Sequence, residues 1–198
     1  MKATTLLGFI LIANVLFAQK SEFTFDENEV QITQIEFKKK IETKQFLYTV
    51  YENDTALIGK IAKKEEFGTI SKKERDEIII ALKLSTNSDF DDQKPIVINF
   101  FYKPTNAVKG TCIDHYTTDK KFKKQMKKNG VVQFFITEKN YTYANNTFED
   151  ASDQIRQKLF SHNFQCGNYI IIKPNGKFYR KVSEYNQDLI LENLKRLE

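Results

Sequence analysis

The chain has 198 residues, 40% of them hydrophobic and 29% charged, with a formal net charge of +5. That is enough for one domain with its own core, and the charge is a mildly basic surface rather than the strongly basic face that nucleic acid requires. Two cysteines and two histidines confine soft-ligand and thiol chemistry to four positions.

In chain order, Met1-Lys2 supplies a positive start, and Leu6 to Phe17 is apolar apart from Asn14. The stretch is too short for a spanning helix of about 20 residues and reads as a secretory signal over residues 1–18. Cleavage is expected at Ala18/Gln19, although Leu16 stands where a second small residue is preferred; no cysteine follows to take a lipid. The mature chain is expected to be soluble and exported, periplasmic or secreted, without an integral membrane segment. Its partners are then other exported or envelope proteins, and nucleic acid is not among them.

Residues 19–55 read as a strand-rich N-terminal extension. Gln31-Ile-Thr-Gln-Ile-Glu-Phe37 and Phe46-Leu-Tyr-Thr-Val-Tyr51 alternate as strands do, and Glu52-Asn-Asp-Thr55 is a hairpin turn into Ala56–Ala62. Ser71-Lys-Lys-Glu74 is a capping-box signature opening a helix through Ile78–Leu82. Pro95 introduces Ile96–Tyr102, a nearly continuous apolar run typical of a central buried strand.

After a loop from Tyr102 to Thr111, a helix is expected to about Asn129, closed by Gly130 in a left-handed cap. Val131–Ile136 reads as a second buried strand and Phe148–Phe160 as a third helix. Tyr169–Ile172 and Lys177–Val182 form a hairpin through Lys173-Pro-Asn-Gly176, and Asp188–Leu197 a last helix. Strands separated by helices imply parallel crossovers, with the closing hairpin as an antiparallel edge.

The chemistry-bearing residues fall in two short pairs, Cys112-x-x-His115 and His162-x-x-x-Cys166. Other features are weaker. Lys120–Lys128 is strongly basic, which a solvated helix face explains. Asp89-Phe-Asp-Asp92 lacks calcium-site spacing, and the sequons at Asn53, Asn140 and Asn145 matter only in a glycosylating pathway.

The order of elements resembles a thioredoxin-like domain over roughly Ala56 to Glu198. The strand Ile96–Tyr102 resembles the strand feeding the active-site helix in that family. Tyr169-Ile-Ile-Ile-Lys-Pro-Asn-Gly-Lys177 resembles the hairpin of exported members of the TlpA/ResA type. The resemblance implies an α/β, three-layer fold with a central mixed sheet. In the family a C-x-x-C motif opens the helix and a cis-proline precedes the hairpin. Read without a gap, the motif would fall on Thr105-Asn-Ala-Val108, with no thiol; with a longer loop it falls on Cys112-Ile-Asp-His115, after a Lys109-Gly110-Thr111 lead-in turn. The cis-proline position falls near Gly167, so Cys166 would face the motif.

Three readings follow. In the first, Cys112 is a nucleophile with a pKa lowered by the helix N-terminus, Cys166 resolves it and His115 tunes it or moves protons. In the second, Cys112 and Cys166 form a structural disulfide in a non-catalytic binding protein, closing a loop of about 55 residues and contributing about 2–4 kcal/mol. In the third, Cys112, His115, His162 and Cys166 hold copper or zinc; otherwise no cofactor is expected.

Overall fold

The computed structural model describes residues 20–104, 112–143, 146–164 and 166–197. The expected signal segment with its Ala18/Gln19 site, the 105–108 motif alternative, the 109–111 lead-in turn and the sequon at Asn145 lie outside the described residues.

Two sheets divide the chain. The first contains β1 (Ser21–Phe25), β2 (Gln31–Ile32), β3 (Phe46–Glu52) and β4 (Ala56–Lys63), in the order β2-β1-β4-β3. The β3–β4 hairpin turns where Asn53 Oδ1 accepts from the backbone N–H groups of Thr55 (2.9 Å) and Ala56 (2.7 Å). The stretch read as a strand from Gln31 to Phe37 stops pairing at Ile32 and becomes helix α1 (Gln34–Glu42). Thr33 and Glu36 make a reciprocal capping box there, satisfying two N–H groups that a strand would have left to a neighbour. Phe37, the buried residue of α1, closes on β4 at Gly59, where an added Cβ would meet its ring at 3.0 Å.

Lys64 carries the chain between sheets: its N–H donates to Gln45 (2.8 Å) and its carbonyl accepts from Val182 (3.1 Å). The change of sheet therefore falls after β4. The second sheet holds β5 (Glu65–Thr69), β6 (Ile96–Phe101), β7 (Val132–Thr137), β8 (Phe148–Glu149), β9 (Asn168–Ile172) and β10 (Lys177–Lys181), in the order β5-β10-β9-β6-β7-β8. Strands β6 and β7 are parallel, while β9 runs antiparallel to both β6 and β10. The hairpin is thus internal rather than an edge, because β5 covers β10.

Every residue of β6 is buried, and alternate residues point to opposite faces. Ile96, Ile98 and Phe100 join Ile78, Ile79 and Leu82 of α2 (Lys72–Thr86) and Ile155 and Leu159 of α5 (Gln154–Leu159). Val97 and Phe101 face the other way, toward Ile113 and Tyr116 of α3 (Cys112–Thr117), Phe122 and Met126 of α4 (Lys120–Lys128) and Ile190 of α6 (Asp188–Lys195). Each fully buried side chain of this size contributes about 1.5–3 kcal/mol. Helices on both faces of a mixed sheet, with a parallel β6/β7 crossover followed by a hairpin and a last helix, make a three-layer α/β arrangement in the order that the thioredoxin resemblance implies.

Two further elements differ from the sequence reading. The single helix from Cys112 is two, because Thr118 Oγ1 bonds back to the Asp114 carbonyl (2.7 Å) and Asp119 then caps a new helix by accepting from Phe122 N–H (2.9 Å). Residues 148–160 are a short strand and a six-residue helix. Between them, buried Asp150 accepts from the Arg156 N–H (2.9 Å) and Asp153 adopts a left-handed φ of 61°. Gly130, by contrast, takes the expected left-handed conformation after α4, with φ 68°.

Candidate thiol site

Cys112 is the first residue of α3, half-buried against the second core cluster. Cys166 lies on the link between α5 and β9, also half-buried, with φ 65°, followed by Gly167 with φ 105°. The structure brings these two cysteines together as neighbouring free thiols. Burial first, and then the Cys166 neighbour, push the Cys112 thiol up to about 12.

That overturns the expectation of a lowered pKa at Cys112. The Cys112 backbone N–H does favour the thiolate, but desolvation and the second sulfur outweigh it.

His115 is exposed one helical turn along from Cys112, its ring edge-on to Tyr116 at 5.2 Å. Cys112 and His115 open on a groove of about 620 Å³ shared with Tyr116, Glu184, Tyr185 and Asn186. His162 is elsewhere. It is half-buried, its charged neighbours are Lys60, Arg180 and Glu29, and its Nδ1 has no hydrogen-bond partner. Burial, helped by Lys60 and Arg180, pushes its pKa down. The proposed set of Cys112, His115, His162 and Cys166 is therefore not assembled, His162 lying among Lys60, Arg180 and Glu29 instead. Among the described residues no three of His, Cys, Asp or Glu converge in a way that could hold a metal ion.

Beneath the thiols lies a layer that local spacing did not reveal. Tyr116 and Tyr185 stack with centroids 4.4 Å apart. The Tyr116 hydroxyl donates to the Tyr185 carbonyl (3.2 Å) and accepts from its N–H (3.3 Å). The Tyr185 hydroxyl donates to Asn99 Oδ1 (2.6 Å), and Asn99 Nδ2 donates to the Phe134 carbonyl (2.9 Å), in the middle of the sheet. Burial holds the Tyr185 phenol far above its usual pKa, so it stays a donor.

Asn168 fixes the segment that carries Cys166. Fully buried, it donates to the carbonyls of Phe164 (2.8 Å) and Phe100 (3.3 Å) and accepts from Ser183 N–H (3.0 Å). Gly167 occupies the position where the resemblance implies a proline. Its φ of 105° is one proline cannot adopt, and an added Cβ would meet Tyr185 at 3.0 Å and Tyr116 at 3.1 Å. No cis peptide bond occurs among the described residues.

The fold and this site define an α/β protein with helices on both faces of a mixed sheet and two neighbouring thiols outside a C-x-x-C motif. No protein-family model matches the chain, and no curated protein matches it. Among solved structures, the chain is similar to MTB dsbF in its mixed oxidized and reduced forms, with a TM-score of 0.39 and 14% identity over 54% of this chain and 82% of that one. It is also similar to BsSco, described as a member of the Sco family of cytochrome c oxidase assembly proteins with a disulfide switch. There the TM-score is 0.33 and the identity 13%, over 54% of this chain and 81% of that one.

Proposed function

We propose that this chain is an exported thiol–disulfide protein of the TlpA/ResA-like type, in which Cys112 and Cys166 are a reversible dithiol acting on other exported proteins. The observation that carries this reading is that two thiols distant in sequence are neighbours, with Cys112 lining a groove open to solvent. Burial and the neighbouring sulfur disfavour the Cys112 thiolate, so the first attack is assigned to Cys166. Its sulfur bonds to one sulfur of a partner disulfide, and the partner's second sulfur leaves as a thiolate and takes up a proton. Cys112 then loses its proton to His115 or solvent and attacks Cys166 Sγ. This forms the Cys112–Cys166 disulfide and releases the first partner sulfur as a thiol. Two electrons and two protons pass to the partner, whose disulfide ends as two thiols; the reverse sequence oxidises a dithiol.

The test is thiol–disulfide exchange with a glutathione–peptide mixed disulfide as substrate, comparing wild type with Cys112→Ser and Cys166→Ser. Cys112→Ser is expected to trap a mixed disulfide at Cys166, and Cys166→Ser to abolish exchange. Wild-type exchange no faster than that of free cysteine would sink the reading.

A second reading, a non-catalytic binding protein with a structural bridge, draws on the half-buried Cys112, whose pKa burial raises, and on Gly167 standing in for proline. It predicts a bridge that resists reduction. Copper or zinc retained stoichiometrically by the reduced protein, and lost on Cys112→Ser, would instead favour a metal role for the two thiols.

A further inference from the structure

Helix α4 places six lysines in nine residues, Lys120, Lys121, Lys123, Lys124, Lys127 and Lys128, with no acidic residue among them. Among the described residues none of the six takes part in an ion pair, whereas Lys20, Lys40, Lys60, Lys63, Lys83, Lys94, Lys158 and Lys181 all do. Like charges three and four residues apart on a helix repel. This helix is held in spite of that, by Asp119 at its start and by Phe122 and Met126, each 1% exposed, on its core side.

Beside it runs a groove of about 330 Å³ between α4 and β7. Lys123 and Lys127 stand on its rim, with Val131, Phe135 and Phe148 beneath, and Lys123 Nζ lies 5.5 Å from the Phe135 ring centroid. Gln133 also lines it, and its Nε2 is buried without a hydrogen-bond partner. A buried amide donor left unmatched is uncommon and costly in a folded chain. Cations on the rim, an apolar floor and a spare donor together describe the complement of an acidic peptide.

We propose that the α4–β7 groove docks an acidic polypeptide segment carrying an apolar side chain. Carboxylates meet the α4 lysines, the apolar side chain covers the floor, and a backbone carbonyl accepts from Gln133. A polypeptide fits better than an anionic membrane for two reasons. The apolar side of α4 is already spent in the core, so the helix has nothing to insert into a bilayer. The floor is also concave, and a plane of headgroups cannot follow it. The surface stands independently of the cysteine chemistry, since none of its residues is at the thiol pair.

The test uses the full chain and a short fluorescein-labelled peptide of glutamates around one phenylalanine, read by fluorescence anisotropy. The peptide is expected to bind, more weakly as ionic strength rises. Lys124→Glu/Lys127→Glu, both exposed positions, should weaken binding at least about tenfold. Lys72→Glu/Lys73→Glu, the same charge change at the start of α2, should leave it within about twofold. Replacing the phenylalanine of the peptide with serine should cost several-fold, and Gln133→Met should weaken binding with the lysines intact. Absence of binding, equal weakening by the two lysine pairs, or capture of phosphatidylglycerol vesicles without capture of the peptide would each overturn the proposal. Circular dichroism on every variant separates lost binding from lost folding.

Discussion

Tyr116 and Tyr185 stack with ring centroids 4.4 Å apart, and together they fill the space that any side chain at position 167 would need. The link bearing Cys166 can pass over them only as glycine, in a left-handed conformation. Gly167→Ala combines a backbone penalty with overpacking and is expected to cost about 2–4 kcal/mol. Urea unfolding would show it as a lower midpoint at unchanged slope; a midpoint equal to wild type would mean that the rings yield freely.

The bond from Tyr185 to Asn99 joins the thiol layer to the centre of the sheet. Tyr185→Phe strands Asn99 Oδ1 at a fully buried position, with an expected cost of about 1–3 kcal/mol. A double-mutant cycle with Asn99→Leu should show coupling, because once Asn99 is gone the lost hydroxyl has nothing left to strand. Strict additivity of the two changes would contradict the network.

The raised pKa of Cys112 predicts an order of reactivity. With Cys112 held protonated by burial and by Cys166, iodoacetamide near neutral pH should modify Cys166 ahead of Cys112, as read by peptide mass spectrometry. In Cys166→Ser the neighbour's contribution disappears while burial remains, so the Cys112 pKa should fall but stay above that of a free cysteine. Faster labelling of Cys112 in the wild type would reverse the order of attack.

His162 supplies a pH dependence. Its pKa is lowered in the folded state by burial, Lys60 and Arg180, so the unfolded chain takes up the proton first. Its contribution is fully present above the unfolded value of about 6.5 and is lost as pH falls through the folded value. Wild type should therefore lose more stability between pH 7 and pH 5 than His162→Gln does, measured as denaturant midpoints. Identical losses would assign the acid sensitivity to other groups.

Legibility from sequence followed the range of the forces involved. The buried strand Ile96–Phe101, the Ser71–Glu74 capping box, the left-handed Gly130 and the Lys173–Gly176 turn are local, and each was readable from a few residues. Thr33-Gln-Ile-Glu36 is an equally local capping box, but it lies inside an alternating stretch that fits a strand template just as well. Asp119 and Asp150 punctuate segments whose apolar spacing suggested unbroken helices, because a carboxylate that stops one element and starts another leaves the hydrophobic pattern intact. The Tyr116–Tyr185–Asn99 layer joins three separated elements and has no signature in any window. The glycine following Cys166 was the one local sign that the backbone there is unusual.

The central claim is that Cys112 and Cys166 are a working redox pair, and the equilibrium reduction potential of the full chain tests it most directly. The protein is equilibrated across defined thiol–disulfide buffers, quenched by alkylation and read by mass spectrometry, with metal content taken on the same sample. A working pair gives a single two-electron transition linking Cys112 to Cys166, well above about −300 mV. A bridge that persists below that potential, or two cysteines that never join, would contradict it.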